Sequence, residues 1–227
     1  MYVVKLYGDQ LLKERSLARE VFGSLLARVL GLNTPPIAIV RVLPELGARH
    51  PDPRVTQRIQ RSSGWNFGSQ MIQPTFPYNG VSAGLMQSAA EIFAFDLLIQ
   101  NPDRRSAKPN VLETSSGFAV IDHEMAFPYA SPSMVLGPIS EVWEIGRTEP
   151  VVHGHLFYPH LKGKAAGVDF GPFLDRLEAV TDVVLAGIEA GIPERWRTDE
   201  VGRIQDFLRR ARSQVGLIHR MLYEVLA

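Results

Sequence analysis

The 227 residues carry 24 Lys and Arg against 24 Asp and Glu, so no basic excess points to nucleic acid and no acidic excess to a solvating tail. Cysteine is absent, which removes disulfides and thiolate metal sites and fits a reducing cytoplasm. No apolar run approaches the roughly 20 residues of a membrane span and the N-terminus lacks a signal-peptide pattern, so a cytoplasmic protein with no membrane partner and no nucleic-acid module is expected. The length allows one sizeable core, or two small lobes sharing a cleft.

Taken in order, Met1 to Leu6 is β-branched and apolar and predicts a strand whose only charge is Lys5. Lys5 has two readings: an edge-strand lysine facing water, or a point charge aimed into a cleft to hold phosphate. Ser16 is an expected N-cap for a helix with Leu17, Val21, Leu25 and Val29 on one face, closed by Gly31. Glu20, beside that stripe, is either solvated or a partner for Lys5. After Asn33-Thr34-Pro35-Pro36 forces an extended exit, Ile37 to Leu43 predicts a second strand.

Pro44 to Gly68, with its prolines and scattered arginines, reads as a loop with at most one helical turn. Ser69 to Gln73 alternates as a third strand, and Pro74 ends it. Pro77, Gly80 and Gly84 then mark a joint between a smaller and a larger lobe, and Leu85 to Gln100 predicts an apolar-faced helix.

The most informative stretch runs from Phe93 to Phe127. A helix end leads into a charged loop holding Asp103, Arg104, Arg105, Lys108 and Asn110. Val111-Leu112 and Phe118 to Ile121 follow as a hairpin around Ser115-Ser116-Gly117, and Asp122 comes directly after. Two carboxylates and an amide gathered by one loop and one hairpin suit a divalent metal bound together with phosphates. Beyond Phe127 helices are expected at Met134 to Gly146, Val152 to Lys162, Phe170 to Gly191 (one or two) and Glu200 to Leu226, the last with its arginines on a solvated face.

Several pieces together resemble the HipA-like kinase family, a branch of the protein-kinase-like fold. They are Tyr2-Val3-Val4-Lys5; Leu17 to Leu32 with Glu20, followed by Pro35-Pro36; Phe67-Gly68-Ser69; Asn101 to Arg105 through Lys108-Pro109-Asn110; and Val120-Ile121-Asp122-His123. The resemblance covers roughly residues 2 to 127. It implies an α+β, bilobal protein-kinase-like fold with a small β-rich N-lobe over 1–78, lacking the first hairpin, and a larger α-helical C-lobe over 79–227. It implies ATP and Mg²⁺ as cofactors and phosphoryl transfer to a hydroxyl, favouring Ser or Thr of a protein. Asp103 and Lys108 would be catalytic-loop residues, and Asp122 with Asn110 the metal ligands. Lys5 and Glu20 would serve the nucleotide phosphates, and Gln70, Ile72 and Gln73 would lie at the adenine-contacting hinge.

The sequence departs from the family pattern at two places. The family loop carries asparagine five positions after the aspartate, where this chain has Lys108, which has donors and no acceptor for a cation. Asn110 takes over the metal, or Lys108 replaces one metal's charge, or catalysis is weakened. The glycine-rich phosphate cover is also missing, and the basic turn from Gly8 to Arg15 is a substitute to consider. The alternative function is a degenerate kinase-like module that binds nucleotide or a protein partner without catalysis. A zinc site from His123, His153, His155 and His160 is a third reading.

Overall fold

The computed structural model describes residues 1–8, 13–73, 76, 78–130 and 149–227. Strand β1 (Tyr2–Val4), helix α1 (Lys13–Val29), strand β2 (Ile37–Val42), helix α2 (Pro53–Arg61) and strand β3 (Gly64–Gln70) come first. The sheet order is β1-β3-β2, antiparallel throughout, with Val3 opposite Ser69 and Ile39 opposite Phe67. The third strand therefore begins at Gly64, five residues earlier than the alternation at Ser69 to Gln73 suggests. Asn66 and Gly68 break the apolar pattern of β3, and it is a strand because neighbours pair with it on both sides.

Ser16 lies inside α1, not at its cap, since the helix is already formed at Lys13. Its closure follows the expected rule: Gly31 takes φ +76°, and the Leu32 N–H reaches back to the Ala27 carbonyl at 2.9 Å. The segment expected to be loop contains a 3₁₀ stretch (Pro44–Arg49) and the nine residues of α2. Pro53 starts this helix at its first turn, and Asp52 caps it by accepting the Arg54 N–H at 2.8 Å.

Helix α3 (Met86–Ile99) is apolar nearly all round, and ten of its residues are buried. The hairpin β4 (Val111–Thr114) and β5 (Gly117–Val120) follows in the expected place, with Val111 opposite Val120 and Thr114 opposite Gly117. Both edges of this hairpin are fastened. The Val120 N–H donates to the Asn33 carbonyl at 2.9 Å, and the Phe76 N–H donates to the Glu113 carbonyl at 2.9 Å. These links hold the end of β5 beside the first sheet.

The rest of the described chain is helical: α4 (Glu149–Val152), α5 (Tyr158–Leu161), α6 (Gly171–Glu178), α7 (Asp182–Ala190), α8 (Asp199–Ser213) and α9 (Val215–Leu226). The single helix expected from Glu200 to Leu226 is broken at Gln214 (φ −127°, ψ 30°). Its arginines are surface groups, as expected, and Arg209 and Arg212 both pair with Asp182 of α7. The helix expected at Met134 to Gly146 lies outside the described residues.

Gly23 fixes how closely α1 approaches the end of the hairpin. A Cβ there would lie 2.6 Å from the His123 Cβ and 2.9 Å from its Cγ, both near the root of a buried ring. Gly23→Ala is expected to cost about 1–3 kcal/mol through overpacking. It should lower the thermal midpoint by about 2–4 °C per kcal/mol in a scanning fluorimetry experiment. An unchanged midpoint would refute the contact.

Candidate functional site

Three elements bring the first charges together. Lys5 lies one residue past β1 and keeps the strand ladder through its N–H to the Phe67 carbonyl at 3.0 Å. Glu20 is buried in α1, and Asp122 stands two residues past β5. The Lys5 Nζ is 2.6 Å from Asp122 Oδ1, 3.0 Å from Glu20 Oε2 and 3.5 Å from Glu124 Oε2. Lys5 thus points into a cleft, and Glu20 is its partner. Glu20 Oε2 also accepts the backbone N–H of His123 at 2.8 Å, so one carboxylate fixes the lysine and the residue after Asp122.

Burial pushes the Glu20 carboxyl up to about 7; Lys5 opposes the shift and Asp122 reinforces it. Lys5 moves as a paired ammonium does: burial lowers it, but Glu20, Asp122 and Glu124 together raise it above the usual lysine value. The two directions agree once the count is noticed, because three carboxylates share one ammonium. Burial would also raise Asp122, yet Lys5 and Lys108 hold it below the ordinary aspartate value.

The charged loop supplies the second half. Lys108 Nζ lies 2.5 Å from Asp103 Oδ2 and 3.0 Å from Asp122 Oδ2, so it bridges the two acids named in the sequence. Burial lowers its pKa, but those two acids outweigh burial and raise it above the ordinary lysine value. Asn110 Nδ2 donates to the carbonyl and Oδ2 of Asp103, both at 3.3 Å, and the amide oxygen, the atom a cation needs, is not used in those bonds. Asn110 (φ +49°) and Asp122 (φ +66°) both sit in the left-handed region, which Asn and Asp tolerate better than most residues.

Arg104 is fully buried and holds this geometry from behind. Its Nε bonds Asp96 Oδ2 and its Nη2 bonds Asp96 Oδ1 at 3.2 Å. Its Nη1 donates to the Asn110 carbonyl and, at 3.4 Å, to that of Ile121, the residue before Asp122. Asp96 also accepts from Asn101 Nδ2 at 3.1 Å and from His155 Nε2 at 2.9 Å. The His155 Nδ1 accepts the Phe157 N–H at 3.1 Å, so its proton is on Nε2, and burial first, then Arg104, lowers its pKa. Burial would raise Asp96, but Arg104 and His155 hold it far below the usual carboxylate range.

A cavity of about 420 Å³ opens beside this cluster, lined by Lys5, Tyr7, Arg58, Asp122 and Glu124. A smaller one of about 120 Å³, lined among others by Val3, Ile37, Phe67, Ser69 and Val120, lies against Lys5 and Asp122. Gln70, Ile72 and Gln73 are at the exit of β3 and line neither cavity. The Gln70 N–H is taken by the Pro36 carbonyl at 2.7 Å. Arg15 is turned away, 3.4 Å from Glu200 of α8. The four histidines go separate ways: His155 to Asp96, His160 to the Tyr78 hydroxyl, His153 against the Tyr158 ring, His123 to the Ser24 hydroxyl. Among the described residues, no three His, Cys, Asp or Glu side chains are placed to hold a metal by themselves, which removes the zinc reading.

Residues missed in the sequence are Asp96, Glu124, Tyr7, whose hydroxyl donates to Glu124 at 2.8 Å, and Arg58. Asp96 alone left a signal, as a carboxylate inside the apolar run Phe93 to Ile99. A family model described as HipA-like kinase matches residues 1–133, more than half of the 227. The chain belongs to the HipA-like kinase family. No curated protein matches it. The matched stretch of this HipA-like kinase holds Lys5, Glu20, Asp103, Lys108, Asn110 and Asp122, and the small N-terminal sheets with helices after them are the kinase-like arrangement.

Asp96→Asn would leave the buried Arg104 charge uncompensated and is expected to destabilise the fold by about 3–5 kcal/mol. The Asp96 pKa is lower folded than unfolded, so its contribution is present above the unfolded value of 3.8 and is lost as pH falls below it. The gap between the denaturant midpoints of the wild type and the variant should hold from about pH 7 to about pH 4 and narrow steadily below that. Parallel curves would contradict the assignment.

Proposed function

We propose that this HipA-like kinase binds ATP with Mg²⁺ between an N-lobe over 1–78 and a C-lobe over 79–227, and transfers the γ-phosphoryl group to a hydroxyl, with Ser or Thr of a protein as acceptor. One observation carries the reading: Lys5 and Asp122 meet at 2.6 Å across 117 residues of sequence, with Asp103 joined to them through Lys108. Phosphoryl transfer asks little covalent work of a protein beyond positioned charge and a carboxylate at the acceptor.

The donors present fit Mg²⁺, which takes one or two carboxylates and completes its shell with phosphate oxygens and water. Asp122 is ionised and Asn110 contributes an amide oxygen; these would hold the ion, which when bound neutralises charge on the phosphates. Lys5 binds phosphate and Glu20 fixes its direction. Asp103 orients the acceptor hydroxyl and takes its proton. The smaller cavity is apolar enough for a base edge, and Gln70, Ile72 and Gln73, which follow its lining residue Ser69 in the chain, are the hinge candidates. The cysteine-free composition supports a cytoplasmic location, and among the described residues no helix is long and apolar enough to cross a membrane.

A second reading, a kinase-like module that binds nucleotide or a protein without transfer, is favoured by Lys108 in contact with both acids. Calorimetric titration with ATP and Mg²⁺ should show binding by the wild type and a loss of about tenfold or more in Asp122→Asn. No binding at millimolar ATP would reject the nucleotide site. Autophosphorylation followed by mass shift should fall by about 10²–10⁴-fold in Asp103→Ala. Equal rates in both proteins would remove Asp103 from the chemistry.

A further inference from the structure

We propose that the Lys108 ammonium is a built-in substitute for a divalent cation, so that the nucleotide complex takes up one metal ion and not two. The inference rests on the nucleotide-binding reading above and concerns how that site is filled.

The first support is position. A cation between two carboxylates is what a bridging metal provides, and here Lys108 Nζ stands there, 2.5 Å from Asp103 and 3.0 Å from Asp122. Its bonds use one oxygen of each acid, Oδ2 in both cases. A metal ion at that point would have to expel the ammonium, exchanging a charge tethered to the same loop for one drawn from solution. Tethering favours the lysine, because its effective concentration at the two acids is set by a short loop whose turn, Arg105 to Lys108, is closed by paired backbone hydrogen bonds.

Charge balance gives the second support. Glu20, Asp103, Asp122 and Glu124 are linked by direct contacts to two ammonium groups, Lys5 and Lys108. Arg105 touches Asp103 at 3.4 Å but is 58% exposed, so water screens most of its charge. The carboxylates outnumber the ammonium groups, so the cluster still attracts a divalent ion beside the charge that Lys108 supplies. Without Lys108 the deficit grows by one charge, and the vacated point between Asp103 and Asp122 becomes a place for a second ion.

Counting bound Mn²⁺ by the loss of its free-ion electron paramagnetic resonance signal tests this without measuring activity. The titration is run on the full chain saturated with a non-hydrolysable ATP analogue. Wild type should bind one ion per complex, Lys108→Arg should also bind one, and Lys108→Asn should bind two. Two ions in the wild type, or one in Lys108→Asn with nucleotide binding intact, would overturn the substitution. Lys108 is about half exposed, so the asparagine variant is not expected to lose its fold, and the wild-type count decides the matter without it. If calorimetry shows that the wild type does not take the analogue at all, the nucleotide reading falls and this inference falls with it. That outcome is separate from a count of two with nucleotide bound.

Discussion

The contact between Lys5 and Asp122 is the constraint on which the rest of the site depends. It joins the end of a strand at the start of the chain to the end of a hairpin 117 residues later, and neither group reaches the other unless both sheets are seated. The cost of taking Lys5 partly out of water is met by three acids at 2.6 to 3.5 Å. Glu20 carries the largest share of the strain. It is fully buried, faces Asp122 as a like charge, and is driven toward neutrality at about 7. What keeps it in place is geometric: the same Oε2 that touches Lys5 accepts the His123 N–H, and Gly23 lets α1 approach close enough for both.

A second layer works on the backbone and not on the reacting groups. Arg104 spans Asp96 in α3 and the carbonyls of Asn110 and Ile121, so the loop and the hairpin cannot drift apart without stranding a guanidinium. A buried charge of this kind contributes little net stability by being paired, and a great deal of specificity by being intolerant of a missing partner. Asn110 and Asp122 sit in left-handed conformations next to those two tethered carbonyls. The scaffold therefore holds backbone geometry that the residues would not choose alone.

How much of this was legible depends on what leaves a local trace. The apolar strands β1 and β2, the buried helix α3 and the β4–β5 hairpin follow from composition and punctuation, as β-branched or apolar runs bounded by turn residues. Helix α2 has no buried residue and only the short apolar stripe of Val55 and Ile59, and Pro53 at its first turn looks like a breaker. The break at Gln214 carries neither Gly nor Pro, and the apolar positions of α8 and α9 run on as if uninterrupted. At the site, Lys5, Glu20 and Asp122 are each as good a surface residue when read alone, and only their combination in one order points to a shared cleft. Arg104 and Arg105 are adjacent and chemically identical, yet one is fully buried and the other 58% exposed. Only the three-dimensional position of Asp96 separates them.

The two lysines also differ in what they can exchange. Both oxygens of Asp122 are engaged, Oδ1 by Lys5 and Oδ2 by Lys108. In the proposed site a phosphate oxygen arriving at Lys5 can replace Asp122 Oδ1 while Glu20 and Glu124 still hold the ammonium, so one ion contact is traded for another with little change in desolvation. Lys108 has no such reserve, because among the described residues its ion pairs are with the two acids it bridges. Freed from them it would leave two like charges facing one another in a partly buried cleft, and at effective dielectric constants near 20 such a repulsion is worth several kcal/mol at about 4 Å. It follows that the Lys5 side of Asp122 is the side that opens when the cleft is entered, and the Lys108 side is the one that stays shut.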